Sequence, residues 1–155
     1  HPVTEIVSGL DLVKEQIRVA AGEKLSVLEM PPLRGHVIEV RVNAEDPSRN
    51  FQPSPGRIDT FHPPGGPGVR LDSHVYAGYT VPPYYDSLLG KLICQGRDRA
   101  EAIVRVRVAL EAFVIEGVTT TIPFLARVME NPRFQAGEVD TKFLERETDL
   151  MKEPT

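Results

Sequence analysis

Three polar residues spaced two apart, Glu39, Arg41 and Asn43, are the first group in this chain able to do chemistry. They lie in RGHVIEVRVNAEDP, residues 34–47. Side chains alternate along a strand, so His36, Ile38, Val40 and Val42 point one way and Val37, Glu39, Arg41 and Asn43 the other. The first set is mostly β-branched and suits a core. The second aligns a carboxylate, a guanidinium and an amide. A guanidinium is always charged and donates two parallel bonds, which suits it to an anion or a developing oxyanion. A solvated strand face can carry the same alternation. Here, though, the row runs into the turn former Asn43-Ala44-Glu45-Asp46-Pro47, and sites are usually built on such loops. A second window, YAGYTVPPYYDSLLGKLI at 76–93, holds Tyr76, Tyr79, Tyr84, Tyr85, Asp86 and Lys91, including all four tyrosines of the chain. Aromatics beside Pro-Pro also form rigid turns, so both readings of Tyr84 and Tyr85 stand.

Other chemistries are poorly served. His1, His36, His62 and His74 are isolated from one another and give no metal-ligand spacing. No G-x-S-x-G nucleophile motif occurs. The glycine run at 65–68 is followed by neither a helix start nor Lys-Ser/Thr, which argues against a phosphate loop. The single cysteine, Cys94, sits in the apolar run Leu92-Ile93-Cys94 and reads as a buried structural thiol. A lone cysteine suits a reducing cytoplasm. The net charge of −4 argues against nucleic acid as a partner. No apolar run is long enough to span a bilayer, and no signal-peptide pattern is present. The chain opens His1-Pro2 without Met, which suggests a piece of a longer protein.

These residues must be positioned by an α+β framework. The spacing of Leu10, Val13, Ile17 and Ala20 predicts helix over 4–21, interrupted at Gly9, restarted by Asp11 as a cap and closed near Gly22; its stripe is expected to pack. Ten of the 14 prolines lie between Pro31 and Pro83. That region predicts a small antiparallel sheet or barrel, with strands at 35–43, 57–61, 68–72, 74–77 and 88–95. Asp98 with Glu101 resembles a capping box opening a helix over 98–116, ended by Gly117. Its core stripe is Ile103, Val106, Leu110 and Phe113, with Glu101–Arg105 and Arg107–Glu111 as solvent-side pairs. A further helix starts near Thr121, carries Ile122, Leu125 and Met129, and ends before Asn131-Pro132. A last one, about 141–150, carries Phe143, Leu144 and Leu150. The expected layout is N-terminal helices, an antiparallel sheet and a C-terminal helical layer, with residues 1–150 one domain and 151–155 a tail.

HPVTE at 1–5, AEDPSRNFQPSPG at 44–56, FHPPGGPGVRLDSHVYAGYTVPPYYDSLLGKLI at 61–93 and the helix that follows resemble the C-terminal domain of biotin carboxylase. This is the ATP-grasp component of acetyl-CoA carboxylase and of its relatives, propionyl-CoA and pyruvate carboxylase. The resemblance runs from His1 to about Glu147. It implies an ATP-dependent ligase in which ATP and bicarbonate give carboxyphosphate and a ureido nitrogen of biotin is then carboxylated. Arg41 matches the arginine of the family motif E-x-R-x-N-A-E-D-P that contacts biotin and bicarbonate. Its implied role is to hold charge on the ureido oxygen, with Glu39 and Asn43 as positioning neighbours. Asp86 matches a supporting position on the active-site side. Arg70 and Pro67 match the homodimer interface; some members carry an aromatic where Pro67 stands. ATP with Mg2+ or Mn2+, and a catalytic Arg and Glu, are expected upstream of His1. The implied partners are a biotin carboxyl carrier protein, a carboxyltransferase component and a second copy, in cytoplasmic fatty acid biosynthesis. A separate bacterial-style subunit is the expected parent. A non-catalytic scaffold for dimerisation is the competing expectation. A biotin- or lipoyl-accepting domain fits less well, because Lys91 lies in an apolar strand and no Met-Lys-Met occurs.

Overall fold

His1 accepts the Thr4 amide through its imidazole, and Pro2 follows in the first turn; together they start a helix that Gly9 closes in the left-handed conformation. The computed structural model describes residues 1–151. In chain order its helices are α1 Pro2–Ser8, α2 Leu12–Ala20, α3 Arg99–Ala112, α4 Ile122–Glu130, α5 Pro132–Ala136 and α6 Phe143–Arg146. Its strands are β1 His36–Asn43, β2 Glu45–Asp46, β3 Gln52–Pro53, β4 Gly56–Arg57, β5 Thr60–His62, β6 Val69–Ser73, β7 Thr80–Val81, β8 Leu88–Gly96 and β9 Val114–Glu116. Single 3-10 turns lie at Pro47–Arg49 and Thr148–Met151. Met151 thus closes that last turn; the rest of the expected tail, 152–155, lies outside the described residues. No described helix is long and apolar enough to cross a membrane.

The main sheet is antiparallel, in the order β1-β8-β6; β2-β3, β4-β7 and β5-β9 form short two-stranded ladders. The fold is therefore α+β with small antiparallel sheets, and the described strands do not close into a barrel. Residues opposite each other in such ladders share a face. Ile38, Val40, Leu92 and Cys94 accordingly meet Ala102, Ile103, Val106, Ala109 and Leu110 of α3, with Phe124, Val128 and Met129 of α4 extending the same core. A second cluster, Ala44, Ile58, Val75, Val81 and Leu89, fills the region under the short ladders. The predicted capping role of Asp98 holds, because its carboxylate accepts the Glu101 amide at 2.9 Å. The Glu101 carboxylate accepts the Arg97 amide rather than that of Asp98, and also pairs with Arg105 at 3.0 Å.

Several expectations are corrected. Val37 is buried although it shares the polar face, because α1 packs on β1 and β8. No residue of α2 is buried, and Val13 and Ile17 are 57% and 65% exposed, so among the described residues this part of the predicted stripe stands open, while Leu10 is half-buried. The strand expected at 57–61 is split into β4 and β5 around Ile58, which is fully buried. Residues 74–77 form no strand. The helix expected to reach 116 stops at Phe113, and Val114–Glu116 pair with Thr60–His62. Gly117 then adopts φ +99 where a Cβ would strike the Arg57 carbonyl, so its role is close backbone approach and not helix termination. Arg107 pairs with Glu130 at 3.3 Å in place of Glu111. On α4 the buried residues are Phe124, Val128 and Met129, with Ile122 and Leu125 half-buried. The last predicted helix is shorter, with Phe143 and Leu150 buried and Leu144 at the surface.

Candidate functional site

The β1-β8-β6 register lays two rows across the sheet face opposite α3. One is Glu39–Ile93–Arg70; the other is Arg41–Lys91–Asp72. Arg70 and Asp72 neutralise each other through a two-pronged pair, Nε to Oδ1 at 2.8 Å and an Nη nitrogen to Oδ2 at 2.7 Å. Those bonds raise the Arg70 pKa above its ordinary value. Arg41 is left open. Its side chain is 67% exposed, and its ionic partner among the described residues is Glu39, at 3.9 Å. Lys91 stands directly opposite on β8. Two cations facing each other across a ladder repel unless an anion lies between or above them. This face can therefore receive an anion, with the guanidinium supplying paired donors and Lys91 a point charge.

The predicted row is only partly brought together. Glu39 does reach Arg41. Asn43 turns away, because its amide donates to Glu45 at 3.1 Å, and its side-chain carbonyl, also buried, has no hydrogen-bond partner among the described residues. The Ser87 hydroxyl donates to the same oxygen of Glu45. The Ala44 amide donates to the Ser87 carbonyl at 2.8 Å. The end of β1 is thus tied to the segment that carries Asp86. Asp86 itself is exposed, accepts the Leu88 amide at 2.8 Å and has no bond to Arg41. It borders a groove of about 430 Å³ with His74, Tyr79, Tyr85 and Leu88. Tyr84 and Tyr85 project into solvent, while Tyr79 stacks edge-on with His74 and Tyr76.

Glu45 and Ser87 are contributors that sequence reasoning passed over. Glu45 was visible only as part of a turn, and Ser87 lies 42 residues from it. Pro67 is exposed in the turn leading to the edge strand β6, beside Val104 and Val108 of α3. Arg70, on that same strand, borders a groove of about 530 Å³ with Glu5, Ile6, Leu10, Asp11 and Val13. Cys94 is fully buried, and burial pushes its thiol up to about 11, so it is a core residue and not a nucleophile at neutral pH. No group of three His, Cys, Asp or Glu able to hold a metal occurs among the described residues.

Comparison with known proteins places this geometry. Residues 39–146 match the family model of the biotin carboxylase C-terminal domain. Residues 1–28 match that of the carbamoyl-phosphate synthase L chain, ATP binding domain. The chain is 58% identical to biotin carboxylase of Nostoc sp. over 94% of its own length and 33% of that protein. It is 56% identical to biotin carboxylase 1 of Bacillus subtilis over 94% and 32%. It therefore spans about a third of the length of the curated relatives it matches. Among solved structures it superimposes with a TM-score of 0.94 on the biotin carboxylase domain dimer of Hydrogenobacter thermophilus 2-oxoglutarate carboxylase, crystallised with MgADP, ADP and bicarbonate; the identity is 43%, covering 100% of this chain and 34% of that one. The biotin carboxylase subunit of a pyruvate carboxylase gives the same TM-score at 44% identity, covering 100% of this chain and 35% of that one. With its sheet, its α3 layer and its open arginine face accounted for, the chain belongs to the biotin carboxylase C-terminal domain family.

Proposed function

We propose that this chain is the C-terminal part of a biotin carboxylase and supplies Arg41 to the ATP- and bicarbonate-dependent carboxylation of biotin on a carrier protein. The observation that carries this reading is the open guanidinium of Arg41 beside Lys91, presented on the sheet face on which α1 also packs. Biotin supplies the ureido nitrogen that accepts the carboxyl group, and negative charge gathers on the ureido oxygen as the nitrogen loses its proton. Arg41 fits that oxygen or a bicarbonate, because it is permanently charged, only loosely held by Glu39 and reachable from solvent. Glu39 limits the swing of the guanidinium. Asn43 and Glu45 fix the end of the strand on which it stands, and Asp86 supports the same edge through its neighbour Ser87.

ATP with Mg2+ or Mn2+ is assigned to an upstream ATP-binding domain whose last two helices are α1 and α2; the match of residues 1–28 to such a domain supports this. In that arrangement residues 1–150 divide, with α2 leaning on the upstream domain through its exposed Val13–Ile17 stripe while α1 packs on β1 and β8. The same reading takes the carrier protein and a carboxyltransferase component as partners, with a second copy docking at Arg70 and Pro67 beside the edge strand β6. It places the parent enzyme in fatty acid synthesis in the cytoplasm, where a free buried Cys94 is at home. The test is Arg41→Ala in the complete enzyme. Loss of one oxyanion donor is expected to cost about 10²–10³ in the rate of biotin carboxylation, with ATP affinity unchanged. An unchanged rate, or an equal loss of ATP affinity, would refute the assignment.

A further inference from the structure

Thr121 precedes α4 in the position where a threonine ordinarily caps a helix, yet its side chain makes no capping bond. The hydroxyl is spent on β1 instead, 78 residues away in sequence. The Asn43 amide donates to the Thr121 hydroxyl oxygen at 3.0 Å, and that hydroxyl donates to the Arg41 carbonyl at 3.3 Å. The Thr121 amide donates to the Asn43 carbonyl at 3.0 Å. β1 is an edge strand, and its ladder with β8 is irregular between Val42 and Asn43. The outward backbone groups of residues 41–43 therefore have no strand to hold them, and a single residue, 4% exposed, closes all three: its hydroxyl takes the Asn43 backbone amide and the Arg41 carbonyl, and its own amide takes the Asn43 carbonyl.

We propose that Thr121 is the positioning residue for Arg41: its hydroxyl clamps the outer edge of the 41–43 backbone and so fixes where the guanidinium stands. The inference rests on the reading of Arg41 given above. It follows from what holds Arg41 and what does not. Among the described residues the side chain has one loose ionic neighbour, so its placement is inherited from its own backbone. The clamp needs a single atom that accepts and donates at once, which a hydroxyl alone among small side chains provides. No capping role competes for it; the Thr120 hydroxyl accepts the Ile122 amide at 3.4 Å.

The experiment uses the complete enzyme with biotin as acceptor. Thr121→Val keeps the shape and removes the hydroxyl; Thr121→Ser restores it. A misplacement on the order of 1 Å can cost about 10²-fold in rate, so Thr121→Val is expected to lower kcat for biotin carboxylation about tenfold or more, with ATP affinity unchanged. Thr121→Ser is expected to stay within about twofold of the parent. In an Arg41→Ala background Thr121→Val should add nothing, because it acts through a side chain no longer there. If Thr121→Val does not fold, Thr121→Ala, which leaves room for a water, serves in the same cycle. A loss that adds fully to that of Arg41→Ala, or a valine or alanine variant with parental kcat, overturns the proposal. A silent Arg41→Ala in the same assay overturns instead the reading on which it rests.

Discussion

Glu45→Ala isolates the contact that ties the end of β1 to the Asp86 segment. One carboxylate oxygen of Glu45 accepts both the Asn43 amide and the Ser87 hydroxyl, and all three side chains are partly buried. A hydrogen bond to a charged group contributes about 1.5–3 kcal/mol when well shielded. The site is not fully dry, so each bond is taken at or below the low end, for a combined loss of about 2 kcal/mol. For a chain of this size that is a fall in Tm of roughly 4–8 °C. Thermal unfolding followed by circular dichroism reads the loss directly. Hydrogen exchange then shows where the constraint went: amides of residues 84–88 should exchange faster while those of α3 keep their protection. A double-mutant cycle with Ser87→Ala supplies the decisive number. If the two side chains act through their shared bond, the coupling should exceed about 0.5 kcal/mol. Strict additivity of Glu45→Ala and Ser87→Ala, together with unchanged exchange in 84–88, would refute the idea that this carboxylate fixes the loop to the strand.

Two further outcomes follow from burial. The Cys94 thiol is pushed up to about 11 by its apolar surroundings, so the folded state favours the neutral form. Its contribution is complete below the unfolded thiol value of about 8.5 and is lost as pH rises toward 11; urea midpoints should fall across that window in the parent and fall less in Cys94→Ala, and equal slopes would count against the burial argument. Ile17→Lys should leave the stability of the present chain within about 0.5 kcal/mol, because no residue of α2 is buried, and should destabilise the complete enzyme by more than that; a large loss in the short chain would show that α2 packs on this domain after all.

Periodicity made some of this architecture legible and hid the rest for identifiable reasons. β1 and β8 were readable because their β-branched and aliphatic residues sit on a sheet that α3 covers, and Ile103, Val106, Leu110 and Phe113 mark the matching face of that helix. Phe113-Val114-Ile115-Glu116 continues the same apolar spacing, so nothing local announces that the chain switches to a strand there. The switch is dictated by β5, more than 50 residues earlier. The stripe of α2 is a true amphipathic signal, but periodicity says that a face is apolar, not which body covers it. Arg107 chose Glu130 over the in-register Glu111 because α4 brings a carboxylate across the helix pair.

The candidate site divides along the same line. The exposure of Arg41 was legible in part: alternation puts it on the face away from α3, and α1 covers Val37 on that same face while leaving Arg41 open. The groups that hold it were not, because they act on backbone. Thr121 looks like an ordinary cap in sequence and is diverted to the edge of β1 only once α4 docks there. Glu45 looks like a turn residue and becomes a tie only once β8 begins beside it. On the proposed reading Arg41 meets a transient charge, and an arginine with that role cannot be locked by a strong carboxylate partner without losing the donors it needs. The 3.9 Å spacing from Glu39 leaves those donors free. Its precision must then come from the strand beneath it, and that strand lies at the edge of the sheet with an irregular ladder at Asn43. Long-range polar contacts from α4 and from the start of β8 are the physical consequence, and they are where substitutions remote from the guanidinium should be felt most strongly.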